Sequence, residues 1–463
     1  MLAEPSLPQM RLKLPASCIN SSLSVNKAEL EEYKAGTMVL TDTDGVAVTL
    51  PMKCKIHGAT AAAYTMKPSL AMKLCDETSE IDSCLLGIRS CSSWILDAMA
   101  IDRINMRNRV AFDIWNAMSR LPYATQFDGR NGTIGRFVEL YINDNSYGIY
   151  CLNDKINRKL LGLKKPKTNA DGTLQTLRGA LYKSGTTDIA DQNTPGFFLN
   201  YTVCVAEYHN AWELKEPEDF ACEAAWAPLL GFYNGNHNYA YVKEHYYLGN
   251  LVDNQLLVMA LAIQDNWGNK NKYVSVMDMS ATGDAARLVY TPWDLDTSLG
   301  GKYDGGYYDG HYSDWKPADI GKSATQVFSV CQGQADYKEM LRKRWAEVRR
   351  TELSVESVAA RLRDYTTLLE QSGAWKRQWD TFQGRKSRPQ LVENLSKEVE
   401  LIIEWYAARF TELDEYFGTA TDIEQTDSAS ATQKGIKKVV RNGQLLIEQG
   451  DAYYTMQGQR ISF

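Results

Sequence analysis

The chain has 463 residues, more than one ordinary hydrophobic core accommodates, so two or three domains or lobes are expected. It is 44% hydrophobic and 23% charged, with a net charge of -6, which argues for a globular protein and against nucleic-acid or anionic-membrane binding. No run of about 18 apolar residues is present, so no membrane-spanning helix is expected.

The N-terminal "MLAEPSLPQM" lacks the basic and apolar regions of a signal peptide; an exported protein would carry its leader upstream. Residues 1 to about 90 read as strands: "MRLKLPA", "GTMVLTDTDGVAVTLPMKCKIHG" around a TDG turn, and "SLAMKLCD". "MRNRVAFDIWNAMSRL" carries Val110, Ile114, Met118 and Leu121 at helical spacing. "RFVELYINDNSYGIYCLND" reads as a hairpin, "INRKLLGLKKPK" as a short basic helix stopping at Pro166, and "RGALYKSG" as a short strand. "PEDFACEAAWAPLLGFYNG" is helical, and "LLVMALAIQDNWGNKN" is an apolar helix or strand that gives way to a polar loop. Residues 336–417 are strongly helical; 420–433 form a polar linker, and a tail of short strands closes the chain.

The nine cysteines are scattered with no C-x-x-C pair, and the five histidines are dispersed. Zinc and a disulfide framework are therefore not expected; buried free thiols are.

Four constellations could carry chemistry. In "LVYTPWDLDTSLGG", an apolar strand ends at Pro292 and is followed by Asp294 and Asp296. Two such close carboxylates repel and lose hydration unless a cation or a substrate compensates them. In "QDNWGNKN", Asp265 meets several amides after another apolar run, and such hard oxygens suit Mg²⁺. Taken singly, each motif is more simply a turn or cap; together they match a template in which one Asp activates a hydroxyl while an Asn and a second Asp hold Mg²⁺. The third is Lys183 in "ALYKSG", a lysine on an apolar strand, which either faces water from a sheet edge or meets an anion such as nucleotide phosphates. The fourth is the hairpin turn with Asn145, Ser146, Tyr147 and Gly148, which could cover a nucleotide although it is not a G-x-G-x-x-G loop. Hairpin, lysine strand, a helix bearing Glu218 and Glu223, Asp/Asn loop and second Asp loop follow the order of a protein kinase, without H-R-D, D-F-G or A-P-E.

These residues resemble the CotH kinase family, the atypical secreted kinases first associated with spore-coat protein phosphorylation. The resemblance runs from about Lys53 to Trp379. It is carried by "CKIHGATAAAYTMKPSLAMKL", by "WILDAMAIDRINMRNRVAFDIWNAM" with its Met-Arg-Asn, and by the hairpin "VELYINDNSYGIYCLNDKIN". "ALYKSG", "WELKEPED", "QDNWGNKNKY" and "TPWDLDTSLGG" follow in the family's order. The family's hairpin turn Asn-Gly is Asn143-Asp144 here, and Asp154 stands where the family has Glu. The tail is similar to C-terminal segments of exported Bacteroidetes proteins, which points to an extracytoplasmic, secreted or cell-surface setting.

The resemblance implies an α+β fold with a two-lobed, kinase-like core. Its parts would be an N-terminal β region (1–90), an N-lobe-like part (91–216), a helix-rich C-lobe (217–419), the linker (420–433) and a small β tail (434–463). It implies phosphoryl transfer from ATP with Mg²⁺ or Mn²⁺ to Ser or Thr of an acceptor protein. Lys183 would contact the phosphates, under the hairpin residues Asn145, Ser146 and Tyr147. Asp265 would be the base; Asn271, Asp296 and, as second choice, Asp294 would hold the metal. Transfer of another group from ATP, such as AMP, would use the same residues. The competing reading is a non-catalytic surface or carbohydrate-associated binding protein, motivated by the aromatic, glycine-rich "KYDGGYYDGHYSDWKP" at 302–317.

Overall fold

The computed structural model describes residues 6–21, 24–58, 65–123, 129–184, 208–209, 212–220, 222–233, 236–263, 266, 272–301, 316, 327–385 and 390–418, with the backbone of four tail strands between 436 and 461. Helices and sheets are mixed, in agreement with the α+β class. Two compact units are present, Met1–Phe410 and Thr411–Phe463.

The first unit opens with a closed seven-stranded barrel. Around the barrel the strands run Gln9–Lys13, Lys34–Thr41, Ala47–His57, Ser69–Leu74, Ser93–Asp97, Asn145–Asp154 and Gly135–Ile142. Neighbours are antiparallel except at the closure, where Gln9–Lys13 lies parallel to Gly135–Ile142. Alternation explains the fold: Met10, Leu12, Met38, Leu40, Met72 and Leu74 point into one apolar core, while Lys53, Lys55 and Lys73 take the outward positions between them. The barrel draws strands from both sides of residue 90. The expected separation of an N-terminal β region from the hairpin part is therefore replaced by one closed sheet, because closure depends on backbone pairing between distant strands.

The hairpin turns at Asn143-Asp144, with φ of 47° and 67°, the left-handed pair that a two-residue hairpin loop requires. The helix Arg107–Met118 packs against the helices Leu248–Leu261 and Val355–Gln371 with Val110, Ile114 and Met118 buried, as their spacing predicts. The basic helix is short, Arg158–Leu161, and ends on Gly162 at φ 65° rather than at Pro166.

A second sheet of five strands follows the order Tyr208–His209, Trp212–Glu216, Ala180–Ser184, Lys272–Val276, Leu288–Pro292, with antiparallel neighbours. Its last strand is an edge, and the apolar run before the polar loop, now seen as the helix Leu248–Leu261, protects it. Asn250 on that helix, fully buried, accepts from Tyr290 N at 2.7 Å and donates to Tyr290 O at 2.9 Å. A satellite core joins sheet and barrel: Leu181, Tyr273 and Val289 of the sheet pack with Ile156, Leu160 and Leu163, which follow directly on the barrel hairpin.

The helices Ala335–Val348, Val355–Gln371, Ala374–Phe382 and Leu395–Phe417 occupy the region predicted to be helical. Ala374–Phe382 lies on the hairpin: Gln378 Oε1 accepts from Ile149 N, and Arg377 grips Glu139 with two bonds of 2.9 and 2.8 Å. Cys18, Cys54, Cys91, Cys151 and Cys331 are buried thiols; Cys204 lies outside the described residues. The tail forms its own antiparallel four-stranded sheet. Among the described residues no helix is long and apolar enough to cross a membrane.

Candidate functional site

Lys183 lies on the central strand of the five-stranded sheet, so it is not an edge lysine facing water. Its cross-strand neighbours are Glu213 on one side and Tyr273 on the other. Its Nζ stands 6.0 Å from the Tyr273 ring centre and 5.8 Å from that of Trp293. Burial pulls its pKa down; Glu213 opposes this, Lys215 adds to it, and Asp294 opposes it. Lysine strand and second acidic loop therefore meet at one place, and of the loop's two aspartates Asp294 is the one whose charge acts on Lys183.

The acidic loop is tightly held. Asp294 has φ 58°, a left-handed conformation that costs a non-glycine residue energy and is retained where the surroundings impose it. Leu295, between the two aspartates, is buried, and its N–H donates to Asn108 Oδ1 at 3.0 Å. Asn108 also donates to Asp97 Oδ2 at 2.7 Å. The next turn is tied by Leu299 N to Leu261 O at 2.8 Å. Arg107 and Asp102 form a fully buried pair beneath it, and a Cβ on Gly301 would lie 3.2 Å from Arg107 Cδ. Asp102 also accepts from Met106 N and Arg107 N at 2.8 Å each, which starts the helix that carries Asn108. The Met-Arg-Asn block thus has a structural role that its residue types alone do not reveal.

Asp265 and Asn271 lie outside the described residues. Asn266, the neighbour of Asp265 in the chain, is buried and donates from Nδ2 to Trp293 O at 3.0 Å and to Asp294 O at 3.1 Å. Its own carbonyl accepts from the buried Lys272 Nζ at 2.6 Å. Asn266 is thereby stitched to the Asp294 loop. The residues fit a Mg²⁺–phosphate group: two partly exposed carboxylates, Asp294 and Asp296, an ammonium at Lys183, and a buried amide oxygen, Asn266 Oδ1, with no hydrogen-bond partner among the described residues.

The barrel adds groups that sequence reasoning missed. His57, at the end of its strand, stands edge-on to Trp293 with ring centres 5.8 Å apart. Burial, then Lys183, Lys155 and Lys55, pull its pKa down to about 3, so the imidazole is neutral near pH 7. Lys155 directly follows the hairpin; burial, then Lys215, Lys73 and Lys183, lower its pKa to about 8 against Glu218. Lys215 hydrogen-bonds Glu213 and lies 3.7 Å from Glu218. The acid opposite Lys183 is thus Glu213 on the adjacent strand, whereas Glu218 belongs to a short turn and Glu223 opens the following helix. The alternation in "WELKEPED", which puts Glu213 and Lys215 on one face, is the signal that could have found them.

The hairpin turn does not join this site. Asn145 and Ser146 are strand residues beside a turn that Asn143 pins to Leu14 and Asp144 to Lys13. Tyr147 is buried in the barrel core, where burial pushes its phenol up to about 12. Lys155, near Lys183, lies at the other end of the strand, roughly 30 Å away at about 3.3 Å per residue. The covering role expected for Asn145, Ser146 and Tyr147 is therefore corrected: a hairpin has two ends, and the opposite one faces the lysine. Asp154 is likewise structural; fully buried, it accepts from Arg89 at 2.7 Å, Arg130 at 2.6 Å and Ile134 N at 2.8 Å.

Among curated proteins none matches this sequence. The family described as CotH kinase protein matches residues 54–413. The match takes in most of the barrel, the lysine strand and both acidic loops, and so the chain belongs to the CotH kinase family.

Proposed function

We propose that this protein transfers the γ-phosphoryl group of ATP to a hydroxyl of a protein acceptor, in an extracytoplasmic setting. The observation that carries the reading is the meeting of Lys183 with Asp294 beside Trp293, in a loop held by Asn266, the residue that follows Asp265 in the chain. The five-stranded sheet and the helices after it would divide the work of a kinase's two lobes. Lys183 would neutralise phosphate oxygens, Glu213 orienting its ammonium from the next strand as the acid of a kinase lysine pair does. Trp293 and Tyr273 would exclude water from the triphosphate and so strengthen its attraction to Lys183. Mg²⁺, bound by Asp294 and Asp296 with Asn271 or Asn266, would offset the charge on the transferring phosphoryl group. Asp265 would accept the hydroxyl proton of the acceptor.

The test is calorimetric binding of ATP with Mg²⁺ or Mn²⁺ to wild type, Lys183→Met and Asp296→Ala, followed by mass spectrometry of a modified acceptor. A mass gain of one phosphate supports phosphoryl transfer; a gain of AMP redirects the reading to nucleotidyl transfer. A wild type that binds no nucleotide at millimolar concentration favours the non-catalytic surface-binding reading. The stretch 302–317 that motivates the latter lies outside the described residues apart from Lys316.

A further inference from the structure

The outer barrel face carries more positive charge than the nucleotide reading uses. Lys53 is directly opposite Lys73 across two antiparallel strands, and like charges in that position destabilise a sheet. Lys73 in turn pairs with Ser93, whose carbonyl accepts from Lys155 N at 3.3 Å. Lys53, Lys73 and Lys155 therefore form one row across four adjacent strands, with Lys55 two positions along from Lys53. The Nζ atoms of Lys55, Lys53 and Lys73 stand 5.1, 5.5 and 5.8 Å from the centre of a single ring, Tyr33. Of these four lysines only Lys73 has a carboxylate of the described residues within ion-pair distance, Glu80 at 3.4 Å. In a chain of net charge -6, a row of cations kept together at a cost points to an anion that supplies the missing charge.

We propose that this row is the docking surface for an acidic, extended segment of the acceptor protein, which it leads toward Lys183. The row spans about 14 Å at a strand spacing of about 4.8 Å, the length of roughly four residues of extended peptide at about 3.3 Å each. Acidic side chains on such a segment would meet Lys53, Lys55 and Lys73, and the segment would continue past Lys155 to the site. Opposite charge fixes direction and speeds encounter more than it adds affinity, which suits an acceptor that must leave after reaction. The inference rests on the phosphoryl-transfer reading for the identity of the occupant as acceptor, but its binding test does not need turnover.

The experiment is fluorescence anisotropy of a fluorescein-labelled ten-residue peptide of alternating Glu and Ser, with a Lys/Ser peptide as control and with Mg²⁺-ATP binding measured in parallel. Wild type should bind the acidic peptide at least tenfold more tightly than the basic one at low salt, and more weakly as salt rises. Lys53→Glu with Lys55→Glu should weaken acidic-peptide binding by tenfold or more and leave Mg²⁺-ATP affinity unchanged. If charge reversal unfolds the barrel, as circular dichroism would show, Lys53→Gln with Lys55→Gln replaces it, with a smaller loss in the same direction. Equal affinity for both peptides overturns the proposal, with the nucleotide reading intact if Mg²⁺-ATP still binds. An equal loss of Mg²⁺-ATP affinity in the variant assigns the lysines to the nucleotide and also overturns it. Binding of heparin in place of the peptide overturns it in favour of an anionic polysaccharide. Peptide binding without nucleotide binding keeps the docking surface and removes the kinase reading instead.

Discussion

Asn108 accepts a hydrogen bond of 3.0 Å from the backbone N–H of Leu295, the residue between Asp294 and Asp296. One amide on the first long helix thus sets the position of a loop nearly two hundred residues further on. Asn108→Ala removes this bond and the one to Asp97, so the loop loses its anchor at a stability cost of about 1–2 kcal/mol. We expect Mg²⁺-dependent ATP affinity to fall several-fold, while ATP affinity without metal stays near wild type. Unchanged metal dependence in a folded Asn108→Ala would show that the loop holds its position without it.

Lys183→Met keeps most of the stem volume and removes the charge from a half-buried site. It should lower ATP affinity by about tenfold or more, a loss of roughly 1.4 kcal/mol, with the unfolding midpoint at or slightly above wild type because a charge is no longer buried. Calorimetry and a thermal melt on one sample measure both. A variant that binds ATP normally removes the lysine from the site.

Asp265 and Asp296 should separate kinetically. A metal ligand acts in the ground state as well as at the transition state, so Asp296→Asn should weaken Mg²⁺-dependent nucleotide binding. A base matters at the transition state, so Asp265→Asn should bind ATP normally and lose turnover by on the order of 10² or more. Equal losses of affinity in both variants would make both metal ligands. Asp294→Asn adds a third arm: the loss of a metal ligand should weaken Mg²⁺-dependent binding, whereas without metal the loss of a carboxylate beside Lys183 should leave ATP affinity at or above wild type.

His57 gives the protein a pH dependence. Its pKa is held down to about 3 in the folded state, chiefly by burial, against an ordinary value near 6.5. Between those values the unfolded chain binds the proton and the folded one does not, so acid favours unfolding. The stability associated with His57 is fully present above pH 6.5 and is lost progressively as pH falls toward 3. The midpoint of urea unfolding should therefore drop from pH 7 to pH 4 by more in wild type than in His57→Gln. Parallel pH profiles would show that other groups account for the acid sensitivity.

The Asp102–Arg107 pair is fully buried, and Asp102 also starts the Asn108 helix. Asp102→Ala removes a buried charged partner of the Arg107 guanidinium together with the acceptor for Met106 N and Arg107 N, at a cost of about 3–5 kcal/mol in urea unfolding. Arg107→Met with Asp102→Leu removes both charges and should recover part of that loss. A single Asp102→Ala as stable as wild type would mean that Arg107 finds another partner.

Much of the local structure was legible in the residues themselves. Period-two alternation in "GTMVLTDTDGVAVTLPMKCKIHG" and period 3.6 at Val110, Ile114 and Met118 depend only on which neighbours in the chain are apolar, and both elements form as read. The order of lysine strand, Asp265 segment and Asp294 loop was legible for the same reason, since order belongs to the chain. What closes into a barrel was not: Gln9–Lys13 meets Gly135–Ile142 through backbone groups that every residue shares, and side-chain pattern does not name a partner. Nor does a hairpin sequence state which of its ends faces a site. Only the packing of Ile156 with Leu181 and Tyr273 brings Lys155 to Lys183 and leaves Asn145 and Ser146 at the far end. The position of Asp294 beside Lys183 is likewise a matter of space, set by a backbone turn at φ 58° and a bond from Leu295 to Asn108, between segments that lie far apart in the chain.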